Sequence, residues 1–83
     1  VVRWDTFEPA DFEYDFENDK LAVHRVTFEE AVETFFSRFR ILSNKKDRNR
    51  FQLYRRTMAG RPLEIIFELK PGMIVRIITG WPL

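Results

Sequence analysis

Eighty-three residues bound the chain to one domain with a single small core, and a domain of this size buries only roughly 60% of its unfolded surface. The lack of cysteine excludes disulfides and thiolate metal sites and a lone histidine argues against zinc, so nine phenylalanines, two tryptophans and two tyrosines must supply the missing burial. The net charge of +1 hides a division: residues 1–37 carry three bases against ten acids, a balance of −7, and residues 38–83 carry eleven bases against three acids, a balance of +8. Such an imbalance fits a polyanionic partner for the basic half as well as it fits two halves that neutralise each other across the fold.

The opening of the chain is acidic and aromatic with no clean period. Residues 1–11 are expected to form a loosely ordered arm, and Phe12 to Tyr14 a short edge strand with Trp4 and Phe7 beside it. A short helix is expected over Phe16–Val23, with Asp15 as its N-cap and His24 and Arg25 at the end where cations are favourable. Thr27-Phe28-Glu29-Glu30 is a capping box, in which Thr27 bonds the amide of Glu30 and Glu30 returns to the amide of Thr27. Val26, just before the cap, is one half of a hydrophobic staple with Val32 or Ala31. The second helix runs to about Ser37, with Phe28, Ala31, Val32, Phe35 and Phe36 at helical spacing on one face. A stripe of that kind is the mark of a core face rather than of a cofactor site.

Arg38–Ser43 reads as a strand with Phe39 and Ile41 on one side and Arg38 and Arg40 on the other. Asn44–Arg50 is a polar turn, Phe51–Thr57 a strand, and Met58-Ala59-Gly60-Arg61 a second turn. The strongest signal follows: Leu63, Ile65, Phe67 and Leu69 alternate with Glu64, Ile66 and Glu68, Lys70-Pro71-Gly72 breaks the run, and Met73, Val75, Ile77 and Thr79 resume it. The other face of the last strand is Ile74, Arg76 and Ile78. An arginine between two isoleucines is either an ion-pair partner of Glu64 or Glu68 on the neighbouring strand or a site residue.

The element order is β-α-α-β-β-β-β, and short links force antiparallel neighbours. The predicted fold class is therefore α+β: an antiparallel sheet with a C-terminal four-strand meander and two N-terminal helices packed on one face. No apolar run approaches the about 20 residues that span a bilayer, because Arg76 interrupts the best candidate. Val1-Val2-Arg3-Trp4 lacks the apolar core of a signal peptide, so the expectation is a cytoplasmic protein with no membrane partner, trimmed or taken from a longer chain.

Three ordered pieces resemble the BrnT family of bacterial toxins, the small endoribonucleases of type II toxin–antitoxin systems. The first is Phe12-Glu13-Tyr14-Asp15, then Asn18, then His24-Arg25-Val26-Thr27-Phe28-Glu29-Glu30-Ala31. The second is Arg50-Phe51-Gln52-Leu53-Tyr54, then Thr57 and Gly60-Arg61-Pro62-Leu63, and the third is Val75-Arg76-Ile77-Ile78-Thr79. Together they cover residues 12–79. Arg25 and Arg55 stand where the family usually has glycine, Val23 where a basic residue precedes the histidine, and Trp81 where arginine is expected, and the family's basic C-terminal helix has no counterpart before Leu83. The resemblance implies a RelE-like fold, cleavage of RNA with no metal and no cofactor, and a cognate antitoxin protein as partner.

Cleaving RNA without a metal requires a base for the 2′-hydroxyl, an acid for the leaving oxygen and cations for the phosphorane charge. Arg76 and Arg50, which carry the resemblance, are the candidates for the cationic task. His24, the only side chain titrating near neutrality, is the candidate general acid or base; by its position alone it is a helix-end residue that caps carbonyls. Lys45, Lys46, Arg48, Arg55 and Arg61 are the candidate RNA-binding bases. Two other classes fit the same residues: a catalytically inactive module with Trp81, Phe51 and Tyr54 as an aromatic platform, and a structural homo- or hetero-oligomer whose aromatic arm covers a neighbour's sheet.

Overall fold

The computed structural model describes residues 8–36, 40–43 and 50–83, the second of these by its backbone alone. Strand β1 (Asp11–Tyr14) leads into helices α1 (Lys20–Val23) and α2 (Phe28–Glu33) and a 3₁₀ turn (Thr34–Phe36). Strands β2 (Arg40–Ser43), β3 (Arg50–Arg56), β4 (Pro62–Lys70) and β5 (Ile74–Pro82) follow. They form one five-stranded sheet in the order β1-β5-β4-β3-β2. The α+β class holds, and β2 to β5 form the antiparallel meander that their short links require. The sheet as a whole is mixed, which corrects the all-antiparallel expectation: β1 lies parallel to β5, with Phe12 beside Val75 and Tyr14 beside Ile77. No tight turn joins these two strands, so the hairpin rule does not fix their relative direction.

The first helix is shorter than its sequence suggests. Asp15 closes a turn instead of capping a helix: the Asn18 amide side chain donates to Asp15, and the Asp19 N–H donates to the Asp15 carbonyl at 3.0 Å. The helix begins after Asp19, a left-handed N-cap with φ 36°. Tyr14 fixes this start, because its hydroxyl donates to Asp19 Oδ1 at 2.6 Å and accepts from the Leu21 N–H at 2.9 Å. Burial and the Asp19 carboxylate together push the Tyr14 phenol up to about 12.

The second helix begins as expected, with the Glu30 N–H donating to Thr27 Oγ1 and the Thr27 N–H to Glu30 Oε1, both at 3.1 Å. It tightens into the 3₁₀ turn after Glu33, where the buried Thr34 hydroxyl donates back to the Ala31 carbonyl at 2.6 Å. The tighter winding turns Phe35 into the core and leaves Phe36 exposed. Residue 37 and the sequence-expected strand start at 38–39 lie outside the described residues, as does the arm through residue 7 with Trp4 and Phe7.

Leu21, Val26, Ala31 and Phe35 meet Leu53, Leu63, Ile65, Phe67, Val75 and Ile77 in one core on the helix side of the sheet. Phe35 packs edge-on to Phe67 with ring centroids 4.9 Å apart. Burying one such ring contributes about 1.5–3 kcal/mol, which matters in a domain with so little core.

One irregularity decides what the sheet presents to solvent. Phe67 pairs with Ile77 but Ile66 pairs with Thr79, so Ile78 is an extra residue in β5. Strict alternation would keep Thr79 and Trp81 on the helix side with Val75 and Ile77. After the bulge it is Gly80 that faces the core, opposite Ile65, while Thr79 and Trp81 turn to the far side. Gly80 suits that place because a Cβ there would meet Ile65 Cδ1 at 2.6 Å, the Glu64 carbonyl at 2.9 Å and Leu21 Cδ2 at 3.2 Å.

Candidate functional site

The face of the sheet away from the helices carries a row of alternating charge. Reading across β1, β5, β4 and β3, Glu13 is in register with Arg76, Arg76 with Glu68, and Glu68 with Arg50. Arg50 Nε donates to Glu68 Oε1 at 3.1 Å, and Lys70 Nζ donates to Glu13 Oε2 at 2.9 Å. Both carboxylates that flank Arg76 thus engage another cation. Among the described residues Arg76 makes no ion pair, so the cross-strand partnership with Glu64 or Glu68 does not form. Asp15 lies within reach of its field: the Asn18 side chain and N–H, and in smaller part the Arg76 charge, hold the Asp15 carboxyl below its ordinary value.

The third catalytic candidate stands elsewhere. His24 is an exposed residue at the C-terminal end of α1, with its N–H on the Leu21 carbonyl at 3.0 Å and its ring 5.9 Å from that of Trp81. Trp81 is five residues beyond Arg76 on β5, roughly 15 Å at the rise of a strand. The fold brings Arg50 and Arg76 into one row and leaves His24 apart from them.

The candidate RNA-binding bases divide as well. Arg61 is an internal tie: one guanidinium nitrogen donates to the Arg25 carbonyl at 2.8 Å and to both Glu30 oxygens at 3.1 and 3.2 Å. Burial works against the charge on Glu30, but the Thr27 N–H and the Arg61 guanidinium outweigh it and keep this carboxyl below its ordinary value. Arg55 is in register with the core residue Leu63, on the side of β3 away from Arg50, and borders a groove shared with Glu33, Phe36, Thr57 and Met58. Lys45, Lys46 and Arg48 lie outside the described residues. Of the three aromatics considered as a platform, Phe51 stacks on Phe67 beside the core, whereas Tyr54 and Trp81 share the open face.

Sequence reasoning placed Glu68 on the strand beside Arg76 but missed Glu13 on its other side. The signal for Glu68 was present, since a turn centred on Gly72 puts residues 68 and 76 opposite each other. No comparable signal existed for Glu13, whose place depends on a parallel pairing between distant segments.

Chemically, the row offers a positioned guanidinium with a carboxylate on each side. Among the described residues no group of three metal-ligating side chains occurs. No helix there is long and apolar enough to cross a membrane. Comparison of the chain with family models, with curated proteins and with solved structures returned no match.

Proposed function

We propose that this chain is a BrnT-like toxin of a bacterial type II toxin–antitoxin system: a RelE-like, metal-independent endoribonuclease neutralised by a cognate antitoxin protein. The observation that carries the reading is Arg76, a half-buried arginine on an inner strand whose two neighbouring carboxylates are engaged by Lys70 and Arg50. A guanidinium held there without an ion-pair partner among the described residues suits the phosphate of an RNA strand, where its planar fork pairs with two oxygens. As the 2′-oxygen attacks, charge builds on the phosphorane oxygens and Arg76, with Arg50 behind Glu68, stabilises it. Glu68 or Glu13 accepts the proton of the 2′-hydroxyl, a task for which each lies beside Arg76 in register, and the departing 5′-oxygen takes its proton from solvent water as the 2′,3′-cyclic phosphate closes.

A second support is local. Arg25 has φ 58°, a backbone conformation that favours glycine, at the position where the BrnT family carries glycine. His24, in this reading, is a helix-end residue and not the proton carrier.

The test is incubation of the purified protein with RNA in the presence of a chelator, with and without ribosomes. Expected products carry 2′,3′-cyclic phosphate and 5′-hydroxyl ends, and co-expression with a neighbouring small gene yields a complex that weakens as salt rises. A folded protein that leaves every RNA intact contradicts the enzyme. The separation of His24 from Arg76 favours one alternative, a catalytically inactive RelE-like module that binds RNA or protein, and RNA binding without cleavage would select it.

A further inference from the structure

At the other end of the same open face, Tyr54, Glu64 and Trp81 stand in register on β3, β4 and β5. Glu64 is only 8% exposed, and among the described residues it has no ion-pair partner. The contrast with the neighbouring row is direct, since Glu13 and Glu68 each hold a cation. Burying a carboxylate without a counter-charge is costly unless hydrogen-bond donors satisfy it. The Tyr54 hydroxyl donates to Glu64, whose carboxylate keeps it protonated, and the same hydroxyl also lies 3.4 Å from Gln52 Oε1. A single neutral hydroxyl does not offset the charge of a carboxylate, which can accept further hydrogen bonds.

We infer that Tyr54, Glu64 and Trp81 form a base-binding subsite that takes a guanine of single-stranded RNA; the inference rests on the proposed reading of this face as an RNA surface. Adjacent strands lie about 4.8 Å apart, so Tyr54 and Trp81 stand on either side of Glu64 on strands roughly 10 Å from each other, and either ring offers a face on which a planar base can stack. The carboxylate selects the base. Guanine presents two parallel donors, N1–H and N2–H, to two carboxylate oxygens. Adenine and cytosine place an acceptor beside their single amino group, and uracil flanks its one N–H with two carbonyls; each of these sets a lone pair against a negative oxygen. Recognition of unstacked bases through aromatic faces and Watson–Crick edges is the usual mode for single-stranded RNA.

The bulge at Ile78 makes the subsite possible. Without it Trp81 would face the helices, and Glu64 would have an aromatic ring on one side only. Glu64 also lies four residues from Glu68 along β4, roughly 13 Å, so a base held here and a phosphate at Arg76 belong to one short stretch of strand.

The test is binding of the 2′-O-methyl trinucleotides UGU, UAU, UCU and UUU, which lack the attacking hydroxyl, followed by fluorescence anisotropy. UGU should bind about tenfold or more tightly than the others, the scale of one bidentate base contact. Glu64→Gln should reduce that preference to within about twofold while leaving the shared phosphate attraction. Trp81→Leu should weaken all four by roughly tenfold and retain the preference, since stacking is sequence-tolerant. Thermal melts accompany both variants, and Trp81→Leu keeps the test open if Glu64→Gln does not fold. Equal binding of the four trinucleotides overturns the subsite alone. Failure of all four to bind at low salt overturns the RNA reading with it. Saturable perturbation of the Trp81 indole by free arginine, without any response to UGU, overturns the subsite and assigns the pocket to a cationic side chain of a protein partner.

Discussion

Arg61 and Arg76 are both half-buried, both carry the family resemblance, and look equivalent by charge. Arg61 ends at the start of α2, where the capping-box carboxylate of Glu30 and the Arg25 carbonyl take its donors. Arg76 ends on the open face, where both neighbouring carboxylates have other partners. The difference teaches that positive charge does not define a phosphate site. What matters is whether the fold has already used the donors, because an arginine locked in an internal pair must break that pair before it meets a ligand.

The largest expected effect separates these two residues by function. Arg76→Ala should lower cleavage at saturating RNA about a hundredfold, the loss expected for one preorganised charge-stabilising group, with little change in melting temperature. Arg61→Ala should show the reverse pattern, and single-turnover cleavage measured beside a circular dichroism melt reads both. Next in size is Gly80→Ala, which sets a methyl group against Ile65, Leu21 and the Glu64 carbonyl. Overpacking there should cost about 2 kcal/mol in urea denaturation and disturb the bulge that holds Trp81 on Arg76's face.

The Glu30 end of the comparison is a stability region. Glu30→Ala removes the return bond of the capping box and the anchor of Arg61 together, for a loss of about 1–2 kcal/mol. In a domain of this size that lowers the melting temperature by roughly 4–16 °C without touching RNA affinity. Acid should act on the same group. The Glu30 carboxyl titrates below its ordinary 4.5 in the folded protein, so its contribution is complete above that value and is lost as pH falls through the lower, folded pKa. Arg61→Ala should shrink this acid-dependent part of the melting curve, a smaller effect than either substitution at neutral pH.

Much of the fold was legible because its signals are local. The Thr27–Glu30 box, the alternation of Leu63, Ile65 and Phe67, and the Pro71-Gly72 break all act within a few residues, and each formed as read. What escaped depended on distant partners. The start of α1 is set by Tyr14 reaching Asp19 and Leu21. The direction of β1 is set by its pairing with β5, more than sixty residues away in sequence. The bulge at Ile78 leaves no mark in an apolar run such as Ile77-Ile78, and it reversed the predicted face of Thr79. The candidate site shared this fate. Arg50 and Arg76 were named from the resemblance and Glu68 from the hairpin, but Glu13 beside Arg76 and the isolation of His24 follow from the tertiary arrangement alone.

The central claim, that Arg76 is an arginine of the open face with donors to spare for an RNA phosphate, is tested most directly by the arginine side-chain Nε–H signals. A non-cleavable 2′-O-methyl RNA titrated into the ¹⁵N-labelled protein should shift the Arg76 Nε–H saturably and leave that of Arg61 in place. An Arg76 signal that stays fixed while the RNA binds, or an Arg61 signal that moves as far, would contradict the account.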